Sequence, residues 1–442
     1  MANSQATPSP DDAASPPSNI RYWVLAAFCA AAAIGYLQRY SINILAGPIQ
    51  RDLDLDKTEM GWAMSGFFWT YAILSLPAGW IADRWGSRRA LALNALMWSL
   101  AVGGMAAARD LTTLVATWSV AGAAQAGLFP GAVIGLRKWL PATRRAFASG
   151  MLSSFMSVGA VLAPLVAGAL LDWGHFTWRQ IFLWLAVPGV SWAVVYFVWY
   201  RDLPAEHGAV NSGELALIRA GGNAEPGPAP SAPWLQLATS LRMWLICGQH
   251  FFRAAAQVFF GTWFATFLRE SPGVSAKHVA VLSSLPPLVL ILGATSGGIV
   301  SDWLLLRTGS RRISRQALAV VNMLLCAAMF AAAVMSDNSS VRIALICTGC
   351  FWMAMGGVSS YTITMDMGGP YVATVFSAMN MCGSFGAAAF PLYAGWLVET
   401  THRWNHVLLS IALIYLAAAA CWMCLNPEGS LFDTPAGKET DA

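Results

Sequence analysis

Residues 79–89 read GWIADRWGSRR, and residues 297–312 read GGIVSDWLLLRTGSRR. Each stretch opens on glycine, reaches an aspartate (Asp83, Asp302) through small and apolar residues, and ends in a basic cluster. Each also follows the second long apolar run of its own half of the chain. Two copies of one loop at matching places mark an internal repeat, and the fold must be built from two related halves.

Outward from these loops, the rest of the chain is too apolar for water. Charged residues make up 11% of the 442, against about 25% in soluble proteins, and hydrophobic residues make up 57%. Mean hydropathy is +0.55. So few charges cannot clothe an aqueous surface, which excludes soluble enzymes, nucleic-acid binders and secreted disulfide scaffolds. Apolar runs of about 20 residues are long enough to span a bilayer. Six occur before residue 201 (21–48, 60–82, 90–108, 112–136, 146–171, 180–200) and six after residue 240 (241–268, 278–301, 314–335, 341–365, 371–397, 405–425). Backbone polar groups in lipid must be satisfied within the segment, and runs this long and uniform are helices rather than barrel strands. The expected fold is an all-α membrane protein of 12 transmembrane helices in two six-helix bundles.

The expected organisation follows: a tail over residues 1–20, a bundle over 21–200, a linker over 201–239, a bundle over 240–425 and a tail over 426–442. The linker begins RDLPAEHGAVNSGELALIRA (201–220), which suits a short amphipathic helix, and continues GGNAEPGPAPSAP (221–233), which is flexible in composition. The first 20 residues carry no basic region ahead of an apolar one, so they are read as a tail and not as a signal peptide. Fourteen Lys and Arg fall in the loops on the side of Arg84 and Arg144, against eight on the opposite side. The positive-inside rule then puts both termini in the cytoplasm, with the protein in the plasma (inner) membrane.

All eight cysteines lie in apolar runs, and the CxxC spacings Cys347/Cys350 and Cys421/Cys424 have no histidine or carboxylate beside them. They are read as packing residues, with no metal and no cofactor expected. Of the 26 basic and 22 acidic residues, only Arg39 and Arg253 fall deep within a span. A charge there costs at least about 2.5–3.5 kcal/mol, so each is a functional candidate. Arg253 lies half-way along the seventh run, on a polar stripe with Gln249 and Gln257 at i−4 and i+4 and His250 at i−3. In a two-half architecture the first and seventh spans face each other across a central cavity. A guanidinium is a permanent charge with a fork that fits carboxylate or phosphate, so the pair defines an anion site. Tyr36 and Asn43 near Arg39, and Ser384 on the eleventh span, are further candidates to orient the substrate.

GWIADRWGSRR and its weaker copy resemble the loop signature of the major facilitator superfamily, over residues 21–425. Within it, Gln38-Arg39-Tyr40-Ser41-Ile42-Asn43, Gln125-Ala-Gly-Leu-Phe-Pro130-Gly131 and Trp139-Leu-Pro141 with Arg144 and Arg145 are similar to the anion:cation symporter family of hexuronate and galactonate carriers, sialin and vesicular glutamate carriers. The resemblance implies transport of a small organic anion by alternating access, with Arg39 and Arg253 gripping the anion. It adds Tyr71, Gln125 and Asn380 to the substrate residues. It also implies a gate in which Asp83, with Gly79, Arg84, Gly86 and Arg88, latches the cytoplasmic side, and Asp302 stands at the repeat position. The chain is expected to work as a monomer in the lipid bilayer, without nucleic acid. Proton-coupled relatives carry acids before the first-span arginine and in the fourth span, and an arginine two turns before the latter. Here Gln38, Gln125 and Trp118 occupy those positions. Glutamine does not titrate, which puts proton symport in doubt, leaves the coupling ion open and makes His250 the sole alternative carrier. An organophosphate:phosphate antiporter is the rival within transport, and a non-transporting sensor of the same fold the rival outside it. No nucleophile–base pair suggests an enzyme.

Overall fold

The computed structural model describes residues 16–172, 174–220, 234–368 and 371–432, and among these the chain is helical and contains no strand. The first bundle runs through α1 (Ile20–Leu53), α2 (Lys57–Gly104), α3 (Leu111–Gln125), α4 (Leu128–Trp139), α5 (Ala142–Asp172) and α6 (Trp178–Trp199). α2 holds two spans. It starts on a capping box between Asp56 and Glu59, and Gly86, with φ +77°, interrupts its helical backbone and separates them. That positive φ is why the repeated loop carries glycine there. α3 and α4 are one span broken at Ala126–Gly127, where a continuous run is expected from the sequence.

The linker supplies α7 (Ser212–Ala220) and α8 (Trp234–Thr239), and residues 221–233 lie outside the described residues. The second bundle begins with three short helices, α9 (Leu241–Gln257), α10 (Phe259–Thr262) and α11 (Phe264–Glu270). It continues through α12 (Ala276–Thr308), a π-helical turn at Arg312–Ala317, α13 (Leu318–Met335), α14 (Ser339–Met367), α15 (Val372–Thr401) and α16 (Trp404–Cys424). Among the described residues, ten spans are long and apolar enough to cross a membrane by themselves. The other two crossings are the first half of α2 and the broken α9–α11 segment. The molecule exposes Val195, Val198, Ile299, Leu306 and Met335 at more than 60% each, which is an exterior for lipid and not for water.

The linker's first half is fixed to the first bundle. The Trp139 indole donates to the Arg201 carbonyl at 2.9 Å, and Asp202 accepts from the Arg88 N–H at 3.1 Å beside Gly86. The His207 ring lies between Trp139 and Trp199. Glu214, fully buried, accepts from the Ile20 and Arg21 N–H groups at 3.0 and 2.9 Å, from the Ser18 hydroxyl and from the Arg21 guanidinium. It thereby caps the start of α1, where a helix N-terminus favours negative charge. Burial raises the Glu214 carboxyl, but these four donors outweigh it and hold the group below the usual range.

The two bundles are clasped at the end remote from the linker. Lys57, opening α2, donates through Nζ to Glu270 at 2.9 Å and through its N–H to Glu399 at 3.0 Å, joining the first bundle to the ends of α11 and α15. Gly61 lets α2 approach α15, since a Cβ there would stand 2.7 Å from the Pro391 carbonyl oxygen.

Candidate functional site

Between the bundles lies a cavity of about 360 Å³. Its walls come from α1 (Tyr36, Tyr40), α5 (Ser153, Ser154, Ser157), α9 (Arg253, Gln257), α12 (Pro287, Leu290, Ile291, Ala294, Thr295) and α14 (Met353, Ala354, Gly357, Val358, Tyr361), with Phe260 in α10. Arg253 is the charged side chain among these lining residues, and it is 6% exposed. Its Nη1 donates to the Gln257 amide oxygen at 3.0 Å, and its Nη2 to His250 Nδ1 at 3.1 Å, with the Tyr361 hydroxyl at 3.5 Å. Its Nε is buried and unpartnered. The polar stripe read from the sequence is therefore a support for one guanidinium, held on two sides and unsatisfied on a third. Gly357 gives it room, because a Cβ there would lie 3.3 Å from Nη1.

His250 is 4% exposed, with its ring edge-on to Tyr361 and against Gly383 of α15. A guanidinium can only donate, so His250 Nδ1 must accept, and a ring that lends its Nδ1 lone pair is the neutral imidazole.

Arg39 is not among the residues that line this cavity. Its guanidinium lies over four rings, those of Tyr36, Phe67, Phe68 and Tyr71, at 5.5, 4.9, 4.6 and 5.1 Å from their centroids. Arg39 is half-buried, and the negatively charged ring faces offset part of the cost of taking its charge out of water. Its Nε is buried without a partner. Tyr36 belongs to both places, lining the cavity and covering Arg39.

Several of the expected substrate residues make hydrogen bonds within the protein. Gln125, at the end of α3, donates to the Gly35 carbonyl at 2.9 Å, and Gln249 donates to Ile246 and accepts from Ser360 at 2.8 Å. Asn43 donates to the Phe260 carbonyl and accepts from the Ala265 N–H, both at 2.9 Å. Those two backbone groups are freed where the seventh span breaks, so Asn43 closes the wound in its neighbour's ladder from across the bundle interface. Arg269 adds a bond from the other side, donating to the Ile44 carbonyl at 2.5 Å. Tyr71 stacks on Phe67, the Ser384 hydroxyl donates to the Asn380 carbonyl, and neither Asn380 nor Ser384 lines the cavity. Tyr361, Tyr40 and the serines of α5 are cavity residues that the sequence reading passes over. The run Ser359-Ser360-Tyr361-Thr362 and the i, i+4 pair Ser153 and Ser157 are the signals that point to them.

Of the gating residues, Gly79 packs on Pro130, Arg84 is exposed, and Gly86 and Arg88 close on Asp202. The side chain of Asp83 lies outside the described residues. Asp302, 74% exposed, faces Arg315 Nη1 at 3.6 Å, while Arg315 Nε donates to Asp366 at 3.2 Å and Nη1 also reaches Ser301. Arg315 and Asp366 bring the ends of α13 and α14 together beneath the repeated loop.

The bonds of Asn43 cross the interface at the remote end, and substitution by leucine removes both without removing volume. Leaving a buried N–H and carbonyl unpaired costs about 1–3 kcal/mol each in the clasped state. Asn43→Leu is expected to shift the population towards a parted remote end. Spin labels at the exposed positions Asp54 and Ser275, one in each bundle, measure it: longer distances are expected, and an unchanged distribution means that Asn43 does not hold the clasp.

A sequence model of the Major Facilitator Superfamily matches residues 28–391. A probable sulfoacetate transporter of Cupriavidus necator is 28% identical over 412 residues, covering 92% of this chain and 94% of that protein. A probable galactarate/D-glucarate transporter of Escherichia coli K12 is 27% identical over 429 residues, covering 92% and 94%. A D-galactonate transporter of E. coli O6:H1 is 25% identical over 420 residues, covering 92% and 94%. Among solved structures, a bacterial homolog to the human lysosomal transporter Spinster, inward-facing and unoccupied, superimposes with a TM-score of 0.73 at 18% identity, covering 92% of this chain and 95% of that one.

Proposed function

The chain belongs to the major facilitator superfamily, and from that premise we propose that it carries a small organic anion, a sugar acid or related carboxylate, by alternating access of the cavity between its bundles. The observation that carries the reading is Arg253. It is a buried guanidinium that lines a cavity of ligand size, braced by Gln257 and His250, with no carboxylate beside it among the described lining residues. A buried charge without a counter-ion is costly in an empty protein and is repaid by an anion. The relatives named for sulfoacetate, glucarate and galactonate support the same ligand chemistry.

Arg39 supports the site from behind Tyr36. Its charge, compensated by rings and not by a carboxylate, raises the potential of the wall that faces Arg253. The clasp at the remote end, built on Lys57, Asn43 and Arg269, is the contact that parts for the opposite access, and the loop of Asp83 is its counterpart at the linker end. Both termini are assigned to the cytoplasm by the excess of arginine in the loops on the linker side.

The test is uptake into proteoliposomes of labelled sugar acids, dicarboxylates and phosphate esters. Saturable uptake of a sugar acid or another carboxylate, absent from protein-free vesicles, is expected. Uptake confined to phosphate esters in exchange for phosphate would overturn the reading in favour of an organophosphate antiporter.

A further inference from the structure

We propose that Gly47 and Pro48 build the receptor for Arg269, so that a carbonyl of α1 freed by proline is what the second bundle grips while the remote end is closed. This rests on the reading that the remote clasp parts during transport, and it assigns to the clasp two positioning residues that lie outside the cavity lining.

Pro48 lies inside α1. A proline has no N–H to give, and its ring crowds the carbonyl four residues back away from the helix axis. That carbonyl belongs to Ile44, which is 1% exposed. A buried carbonyl must find a donor, and here its own helix withholds the ordinary one. Arg269, near the end of α11 in the opposite bundle, supplies it from Nη2 at 2.5 Å. Gly47 makes the approach possible, since a Cβ there would stand 2.9 Å from Nη1. Proline frees the acceptor, and glycine clears the path to it.

Arg269 has little else to hold. Its Nη1 is buried and unpartnered, and among the described residues it makes no ion pair. Arg51 and Asp172 act on it with opposite signs from farther off. The repair is also reciprocal. Asn43 of α1 serves the Phe260 carbonyl and the Ala265 N–H where the seventh span breaks. Arg269 of the seventh span serves the carbonyl that proline frees in α1. Each bundle completes the other's backbone while the remote end is closed. When that end parts, water reaching the mouth takes over the freed carbonyl, at less cost than stripping the partner from a buried carboxylate.

Spin labels at the exposed positions Arg109 and Asp337, one at the remote end of each bundle and both outside α1, report closure in the full-length protein in nanodiscs. Pro48→Ala restores the N–H, and it is expected to raise the ratio of parted to closed molecules about tenfold, the factor that a hydrogen bond to a charged group is worth. The melting temperature should not fall, as it would in a merely damaged bundle. Gly47→Ala sets a methyl group against Nη1, is expected to act in the same direction, and carries the test should Pro48→Ala fail to fold. In an Arg269→Ala background neither substitution is expected to add more than about twofold, because both act through the guanidinium already removed. A Pro48→Ala effect that adds in full to Arg269→Ala overturns the inference, since the proline then acts on its own helix alone. Parting in Arg269→Ala with closure intact in both Pro48→Ala and Gly47→Ala also overturns it, and leaves the reading of the clasp standing. No parting in any of the three variants overturns both.

Discussion

Arg253→Lys is expected to lower uptake of the proposed sugar-acid substrate by about 100-fold while the amount of folded protein in the membrane stays at the wild-type level. The charge is kept in this variant, so the loss isolates the fork. In the wild type, the Gln257 oxygen and His250 Nδ1 fix the plane of the guanidinium from two sides, and the Tyr361 ring lies 5.8 Å from its central carbon. That bracing leaves the remaining N–H groups aimed as a set. A lysine ammonium has a longer hydration debt and no plane, and it would satisfy Gln257 or His250 before reaching a substrate. A factor of 100 corresponds to about 2.7 kcal/mol, within the range for losing a charge-assisted bidentate contact in a dry site. Initial uptake rates, normalised to protein reconstituted, give the first quantity, and the melting temperature in detergent checks the second. A loss of less than about threefold would remove Arg253 as the anion's grip.

Much of this architecture is legible from residues alone because lipid leaves a backbone few choices. Twelve apolar runs, the repeated loop and the change of composition at residue 201 suffice for two six-helix bundles. The breaks in the fourth and seventh spans are not legible, since neither is marked by proline at the interruption. They follow from neighbours: Gly261 sits where a Cβ would come within 2.9 Å of the Tyr40 ring, and Asn43 accepts the work of the lost ladder bonds. The same limit governs the site. A polar side chain inside a span must have a partner, but the sequence does not say whether that partner is a substrate or a carbonyl on the next helix. Gln125 and Gln249 satisfy helices, whereas Gln257, on the same stripe as Gln249, supports the arginine in the cavity. Arg39 shows a further case. The aromatic residues Phe67, Phe68 and Tyr71, at i, i+1 and i+4, are visible in the sequence as core, and only their assembly with Tyr36 reveals a seat for a cation.

A pH gradient by itself is expected to drive less than about twofold accumulation of substrate, and a membrane potential to drive much more. The positions where a proton carrier would titrate hold amides that the fold has committed elsewhere. Gln38 donates to the Leu185 carbonyl at 2.7 Å and towards Ser99 at 3.4 Å, tying α1 to α6 and α2, and Gln125 is tied to Gly35. No carboxylate is present among the described residues that line the cavity. His250 Nδ1 accepts from Arg253, and a ring that lends that lone pair is the neutral imidazole. A carboxylate moving with no compensating proton carries its own charge across the membrane. At about 2.3 kcal/mol per charge per 100 mV, a potential of about 60 mV, positive inside, should sustain roughly tenfold accumulation of a monoanion. The experiment imposes each gradient separately on proteoliposomes, clamping the potential near zero while the pH gradient is varied. Should His250 carry a proton in another conformation of the cycle, accumulation will follow the pH gradient and vanish in His250→Gln. Several-fold accumulation that persists in His250→Gln at zero potential would defeat the uncoupled mechanism and the histidine route together, because the described cavity offers no other group to take the proton.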